Sequence, residues 1–259
     1  MSDTILTETR DGVGVISFNR PERHNAMDDA MSLAFGEAVT AAQEDGDVRV
    51  ILLRGEGSSF TTGRDTAALG VRAAGVSDFA HVSRSQRRKF QLIDSQKPTI
   101  AAVRGYTIGG GCELALQCDI RVGSETAQLS LPEIDYGIIT DGGGSVITAS
   151  LAGPSRAKYM LMTGERIEAA QALAWGLLDF VVPDADLDER AMEIARKIAA
   201  RPPIHVAVAK QLVDGLHGDQ IHRGIREELI AISMLYKTED REEARTARKE
   251  KRTPIFKGL

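Results

Sequence analysis

Short runs of branched apolar residues alternate with helical patterns in the first half of the chain. Residues 13–18, 48–53 and 99–103 predict strands, and the last two runs are almost continuously apolar. Such runs are typical of strands that are covered on both faces. Apolar residues recur at helical spacing between residues 28 and 42, which predicts a helix between the first two strands. This alternation indicates an α/β fold.

Strand patterns nearly vanish after about residue 150, and helical stripes replace them. One apolar stripe recurs at helical spacing between residues 191 and 199, and another between residues 221 and 232. Arg201-Pro202-Pro203 separates them, because proline ends one helix and begins the next. The sequence therefore predicts a core over residues 1–200 and a helical region over residues 201–259. The apolar surface of that region packs on the core, on a second subunit or on both.

The composition fits one folded protein with a sizeable core. The chain has 259 residues, of which 42% are hydrophobic and 27% are charged, and this balance excludes a disordered, collagen-like or coiled-coil protein. The net charge of -5 and the aromatic content of 5% argue against nucleic acid as a partner. The amino terminus resembles no targeting peptide, and no apolar run approaches the length of a membrane helix. We therefore expect no membrane partner.

The two cysteines, Cys112 and Cys118, bear on the compartment and on metal binding. Two cysteines make no disulfide framework, so we expect a reducing, cytoplasmic location. Their C-x5-C spacing, without a nearby histidine, is a poor zinc pattern. The sequence therefore predicts no metal site.

Glycine is concentrated in three segments, at residues 55–63, 105–111 and 137–144. None of them matches a dinucleotide-binding fingerprint, a phosphate-binding P-loop or the nucleophile elbow of a serine hydrolase. The run Gly109-Gly110-Gly111 precedes a predicted helix, whose first N–H groups can bind a developing negative charge. Tight packing between the strand and the helix would require the same glycines.

Two glutamates lie close to these glycine segments. Glu113 falls in the first turn of the predicted helix, and Glu133 follows Pro132. Acidic residues favour the first turn of a helix, and proline is common there, so each residue has an explanation without catalysis. Together they flank a candidate oxyanion site, which favours paired acid and base chemistry.

Seven short motifs occur in a fixed order along the chain. They are Asn19-Arg20-Pro21, Asn25-Ala26, Phe60-Thr-Thr-Gly63-Arg-Asp65, Gly105-Tyr-Thr-Ile-Gly-Gly-Gly-Cys-Glu-Leu-Ala, Cys118-Asp119-Ile120, Pro132-Glu133 and Arg252-x-Pro254-x-Phe256-x-Gly258. The set resembles the enoyl-CoA hydratase/isomerase, or crotonase, family over nearly the whole chain. The resemblance implies an α/β fold that is a spiral of ββα units with a C-terminal helical trimerisation region. It also implies a homotrimer or a homohexamer.

The resemblance further implies an acyl-CoA thioester as substrate, with no separate cofactor because coenzyme A is part of the substrate. The backbone N–H groups of Arg64 and Gly110 correspond to the pair that holds the thioester oxygen as it gains negative charge. Arg64 stands where a small residue is usual, so we expect its side chain to narrow the pocket or to reach a phosphate or a polar acyl group. The implied substrate-binding residues are Arg23, Ala26, Thr62, Asp65 and Thr66.

One departure from the resemblance separates two reactions. Glu113 and Glu133 match the two glutamates with which hydratases add water to the double bond. Thr140 and Asp141, however, stand where hydratases have Pro and Gly, and an aspartate at this position resembles dienoyl-CoA isomerases. Alternatively, Asp141 caps a helix that begins at Gly142.

The sequence therefore leaves three functions open. The first is an enoyl-CoA hydratase that uses Glu113 and Glu133. The second is an enoyl-CoA or dienoyl-CoA isomerase that uses Glu133 and Asp141. The third is a protein without catalytic activity that binds acyl-CoA or nucleic acid.

Overall fold

A computed structural model describes residues 4–68 and 75–259. The strands are β1 (Ile5–Arg10), β2 (Val13–Phe18), β3 (Val50–Gly55), β4 (Thr99–Val103), β5 (Tyr106–Ile108), β6 (Ile120–Ser124), β7 (Gln128–Ser130), β8 (Ile167–Glu168) and β9 (Phe180–Val182). The α-helices are α1 (Asp29–Glu44), α2 (Asp78–Ile93), α3 (Gly110–Gln117), α4 (Gly144–Ala152), α5 (Pro154–Thr163), α6 (Ala169–Trp175), α7 (Leu187–Ala199), α8 (Pro203–Asp214), α9 (Gly218–Leu235) and α10 (Glu239–Glu250).

The main sheet runs in the order β1-β2-β3-β4-β6-β9. β1 and β2 form an antiparallel hairpin, and from β2 onwards the neighbouring strands are parallel. The segments after β3 and β4 therefore emerge at the same edge of the sheet. They touch there, because the N–H of Phe60 donates to the carbonyl of Arg104 at 2.8 Å. This edge brings the first two glycine segments together.

The main sheet is covered on both faces. Ile16 and Leu53 belong to the larger core, whereas Val15 and Leu52 point to the opposite face, on which α7 packs. Because side chains alternate along a strand, burial of both faces makes the whole strand apolar. The continuous apolar runs therefore predicted the covered strands correctly.

A second, smaller sheet lies beside the candidate site. It has the order β5-β7-β8, in which β5 and β7 are parallel and β7 and β8 are antiparallel. β5 leads directly into α3, and β7 is followed by a 3-10 turn over Glu133–Tyr136. The N–H of Gly109 donates to the carbonyl of Ser130 at 2.8 Å, which ties these two exits together.

The C-terminal helices return to this side of the molecule. α9 packs against α2 and α4, and the side-chain amide of Gln86 donates to the carbonyl of Ile225 at 3.0 Å. α10 lies against the 3-10 turn, where a side chain at Gly137 would come within 2.9 Å of the Cα of Arg241. The helices predicted after residue 200 are present, while the division at that residue stays a prediction. None of the helices in the described ranges is long and apolar enough to cross a membrane.

Candidate active site

Two glycine segments meet with almost no space between their backbones. Gly63 has a φ of +73°, and a Cβ there would come within 2.8 Å of the backbone nitrogen of Gly110. A Cβ at Gly111 would lie 2.1 Å from the carbonyl oxygen of Thr61. Only glycine fits such contacts, since it has no side chain and tolerates positive φ. The close approach sets the residue after Gly63, Arg64, beside the start of α3.

A buried asparagine holds the loop that carries Arg64. The side-chain amide of Asn25 is fully buried and donates to the carbonyls of Ser59 at 2.8 Å and Phe60 at 3.0 Å. The backbone carbonyl of Asn25 accepts from the hydroxyl of Thr61 at 2.7 Å. These bonds fix the segment before Gly63, so the backbone N–H groups there are set in place before any substrate arrives.

The predicted substrate-binding residues lie on two segments that run side by side. The N–H of Met27 donates to the carbonyl of Gly63 at 2.7 Å, and the N–H of Asp65 donates back to Met27 at 2.8 Å. This pairing gathers the predicted residues, and one nitrogen of Arg23 lies 3.6 Å from the carboxylate of Asp65. The five residues brought together here are Arg23, Ala26, Thr62, Asp65 and Thr66, and their role in binding stays a prediction.

A cavity of about 130 Å³ opens where these segments meet α3. Arg64 lines it, and its guanidinium lies 2.8 Å from a carboxylate oxygen of Asp29 at the start of α1. Away from α3 the cavity walls are largely apolar. They are formed there by Val82, Ile138, Ile139 and Ile232 and by the rings of Tyr136 and Tyr236. Gly110, Glu133 and Asp141 line the cavity at the α3 end, and further polar groups in its lining come from Ser32, Thr62, Thr66 and His81.

Glu133 lies directly against the start of α3. A Cβ at Gly109, the N-cap residue, would come within 3.0 Å of Oε1 of Glu133. The 3-10 turn after Pro132 directs the carboxylate there, and the partial positive charge of a helix N-terminus favours an anion. One cavity wall therefore combines a carboxylate with the first N–H groups of α3, which have no acceptor within the helix.

Glu113 lies in the first turn of α3, as predicted, and its carboxylate is buried. Its side chain is only 1% exposed and is not among those that line the cavity. Its Oε1 accepts three backbone N–H groups, those of Asp141 at 3.1 Å, Gly142 at 2.6 Å and Gly144 at 3.2 Å. The structure thus brings Glu133 and Asp141 to one cavity and turns Glu113 towards the third glycine segment. The catalytic roles of all three remain predictions.

The interpretation of Asp141 as a helix cap is wrong. α4 begins at Gly144 rather than at Gly142, its N-cap residue is Gly143, and no side chain caps it. Gly143 has a φ of +92°, and a Cβ there would come within 2.8 Å of Ile147, so the turn before the helix requires glycine. Asp141 precedes this turn, which leaves its side chain on the cavity wall.

Two further groups near the cavity are shifted towards their neutral forms. Burial raises the pKa of the Cys112 thiol well above its ordinary value, and the carboxylates of Glu133 and Glu113 raise it further. Burial also raises the pKa of the Tyr136 phenol, while the guanidinium of Arg248 opposes that shift. A neutral, buried thiol is a poor nucleophile, so Cys112 supports the site by packing. The described residues contain no cluster of three groups that would hold a metal ion.

Several cavity residues escaped prediction. His81 and Val82 line the cavity from α2, a helix that the sequence analysis missed, although the Ser77 side chain caps its first turn and Asp78 follows. A serine followed by an acidic residue is a helix-start signal that would have found it. Tyr236 follows α9 as its C-cap residue, and no local pattern connects it to the glycine segments.

Comparison with known proteins agrees with this arrangement. The sequence profile of the enoyl-CoA hydratase/isomerase family matches residues 8–259. The chain belongs to this family. It is 36% identical over 253 residues to a probable mitochondrial enoyl-CoA hydratase of Dictyostelium discoideum, covering 98% of this chain and 90% of that protein. It is 34% identical to the 2,3-dehydroadipyl-CoA hydratase of Escherichia coli over the full length of both chains.

The fold of the family is also found in solved structures. The carnitinyl-CoA hydratase of Mycobacterium avium superposes with a TM-score of 0.84 at 32% sequence identity, and the match covers 100% of both chains. As a member of the crotonase fold, this chain has the mixed α/β core and the helical C-terminal region that its motifs implied.

Proposed function

We propose that this chain is a 2-enoyl-CoA hydratase, which adds water across the 2,3 double bond of an acyl-CoA thioester without a separate cofactor. The observation that carries the proposal is the meeting of Glu133, Gly110 and Arg64 on the wall of one cavity. The relatives named as hydratases support the same reaction. A carboxylate beside paired N–H groups also argues against a member without catalytic activity.

The groups on the cavity wall match the charges that develop on the substrate during hydration. The thioester oxygen accepts from the N–H groups of Arg64 and Gly110, and it gains negative charge as the water oxygen bonds to C3. Glu133 takes the proton of that water and returns one to C2, so that the elements of water are added in full. Glu113 orients the water, and its bonds to the third glycine segment fix the direction of its carboxylate.

A second candidate is an isomerase, and one observation favours it. Asp141 and Glu133 line the same cavity, whereas the buried Glu113 is not part of its lining. Two carboxylates at the two ends of a conjugated acyl chain would move a proton from one carbon to another without adding water. The two reactions depend on Asp141 in opposite ways.

Asp141 variants test the hydratase against the isomerase. We expect Asp141→Asn and Asp141→Gly to hydrate crotonyl-CoA within about threefold of the wild-type rate, because the Asp141 carboxylate transfers no proton in the proposed hydration. The isomerase instead requires Asp141→Asn to lose at least about 100-fold in conversion of a 3,5-dienoyl-CoA, the usual cost of removing a general acid or base. Rates on both substrates, with folding checked by circular dichroism, distinguish them. Loss of crotonyl-CoA hydration in folded Asp141→Gly would reject the hydratase.

We also propose that the chain forms a homotrimer or a homohexamer. The support is a row of exposed large apolar side chains on α8, namely Ile204 at 75%, Val208 at 47% and Leu212 at 72%. Monomeric proteins rarely expose contiguous apolar surface of this kind.

Light scattering tests the assembly. We expect a mass of three or six chains at micromolar concentration, and Leu212→Glu should weaken the assembly because it puts a charge into the apolar contact. Gln211→Glu adds the same charge at the neighbouring exposed position of α8 and serves as the control. A stable wild-type monomer of 28.0 kDa would contradict the proposal.

The two cysteines support a reducing compartment, for which we propose the cytoplasm. Cys112 and Cys118 are both buried free thiols. Disulfide-bonded cysteines are common in oxidising compartments and rare in reducing ones.

A further inference from the structure

Two buried carboxylates bind every backbone N–H of the segment from Asp141 to Ser145. Glu113 of α3 accepts three of these groups through Oε1. Glu228 of α9 accepts the other two, from Gly143 at 2.8 Å through Oε2 and from Ser145 at 2.9 Å through Oε1. We call this arrangement the carboxylate clamp. It spans the turn before α4 and connects α3 to the C-terminal helix α9.

Burial and hydrogen bonds hold the Glu228 side chain in this position. It is 4% exposed, and its Oε1 also accepts from the hydroxyls of Thr140, at 3.0 Å, and of Ser145. Ile225 and Leu229 on the same helix are buried, so the register of α9 fixes where the carboxylate points. A charge this deep is costly unless hydrogen bonds surround it, and here four donors do so.

The two carboxylates of the clamp repel each other. Burial, and then the charge of Glu113, raise the pKa of Glu228 to about 7, while the bonds from Ser145 and Gly143 act in the opposite direction. The N–H groups at the start of α4 are what allows two acidic groups to share so small a volume.

We propose that Glu228 is a positioning residue for Glu113. Because Glu228 binds the N–H groups of Gly143 and Ser145, those of residues 141, 142 and 144 are left to Oε1 of Glu113. This division sets the direction of the Glu113 carboxylate, and it also holds the segment that follows the cavity-lining residues Ile138 and Ile139. The inference rests on the proposed hydratase function, in which Glu113 orients the water.

Glu228→Gln tests the clamp with little change of shape. An amide has one oxygen and one NH2 group, so in either orientation it turns a donor towards the N–H of Gly143 or of Ser145. We expect kcat for crotonyl-CoA to fall by about 10-fold to 100-fold, the cost of misplacing a reacting group by about 1 Å, while KM changes by less than about threefold. The control is Glu227→Gln, whose side chain is 72% exposed on the same helix and should leave both constants unchanged.

Two measurements separate positioning from simple stability. Hydrogen exchange of the backbone N–H groups of residues 143 and 145 should be at least about 10-fold faster in Glu228→Gln than in Glu227→Gln, since local protection reflects local hydrogen bonding. In a double-mutant cycle, Glu228→Gln should have no further effect on kcat once Glu113→Gln is present, because it acts through that residue. Additive losses in the cycle would overturn the positioning role.

The remaining outcomes are also decisive. If Glu228→Gln does not fold, Thr140→Val is the substitute, because it removes one hydrogen-bond donor from the same carboxylate. It should lower kcat by a smaller factor than Glu228→Gln. This loss should also disappear once Glu113→Gln is present. An unchanged kcat in a folded Glu228→Gln would overturn the inference about Glu228. The proposed hydratase function would still stand in that case, provided that the wild-type chain hydrates crotonyl-CoA. A wild-type chain that shows the protected N–H groups but does not hydrate crotonyl-CoA would overturn the proposed function instead.

Discussion

Glu133→Gln is expected to reduce the hydration of crotonyl-CoA by about 100-fold to 10,000-fold, because a general acid or base usually contributes that much. The amide has the shape of the carboxylate but cannot take a proton from water or return one to C2. In the proposed mechanism the N–H groups of Arg64 and Gly110 bind the thioester oxygen, and this variant leaves them unchanged, so KM should change far less than kcat. Steady-state rates on crotonyl-CoA measure both constants.

The control for this variant is Asp135→Asn. Asp135 lies on the same 3-10 turn, two residues further on, and it is exposed to solvent. The substitution removes a charge of the same sign without touching the cavity, so activity should stay within about twofold, as for most surface changes. A folded Glu133→Gln that keeps more than a third of the wild-type kcat would show that another group transfers the proton.

Gly110→Pro is expected to lower kcat by about 100-fold to 1,000-fold, which corresponds to about 2.7–4 kcal/mol for the loss of one oxyanion donor. Gly110 is the first residue of α3, where proline is well tolerated because the N–H at that position has no acceptor in the helix. The proline ring would attach at the nitrogen that a Cβ at Gly63 would approach within 2.8 Å, so the loss of turnover is compared with the thermal stability of the same variant. Rates on crotonyl-CoA and a thermal unfolding curve test this.

Gly110→Ala is the matched control for the oxyanion donor. Alanine adds a methyl group but keeps the N–H, so it measures the cost of any side chain at this point of the cavity. The difference in kcat between the alanine and proline variants then gives the contribution of the N–H donor to turnover. Equal losses in the two variants would mean that the N–H of Gly110 does not stabilise the transition state.

The sequence predicted the covered strands best. The predicted strands at residues 13–18 and 99–103 coincide with β2 and β4, and every residue of these two strands is buried. The predicted strand at 48–53 is observed as Val50–Gly55, since the N–H of Val48 closes a turn onto the carbonyl of Asp45. Val48 is buried but lies before the sheet, and hydrophobicity alone does not distinguish those two cases.

Short elements left too little pattern to be predicted. β5 and β7 have three residues each and β8 has two, so no period can be read from them. β8 and β9 also mean that strands continue after residue 150, although they are few and short, as expected from the weak signals there. These small strands matter because β5 and β7 lead into α3 and into the turn of Glu133.

The candidate site was only partly predictable from sequence. Gly63 and Gly111 marked the contact between two backbones, because glycine at such a place reflects a physical requirement for space. The direction of Glu113 was not predictable, since it depends on the N–H groups before α4. Those groups are divided between Glu113 and Glu228, and no local pattern connects α9 to this turn.

The central claim is that this cavity adds water to an enoyl thioester with Glu133 as the proton-transferring carboxylate. The most direct measurement is single-turnover incorporation of heavy oxygen from labelled water into crotonyl-CoA by the wild-type chain, Glu133→Gln and Asp135→Asn. The account predicts one labelled oxygen at C3 in the wild type and in Asp135→Asn, and a rate at least about 100-fold lower in Glu133→Gln. It would be contradicted if the wild type gave an isomerised product without label, or if Glu133→Gln incorporated label at the wild-type rate.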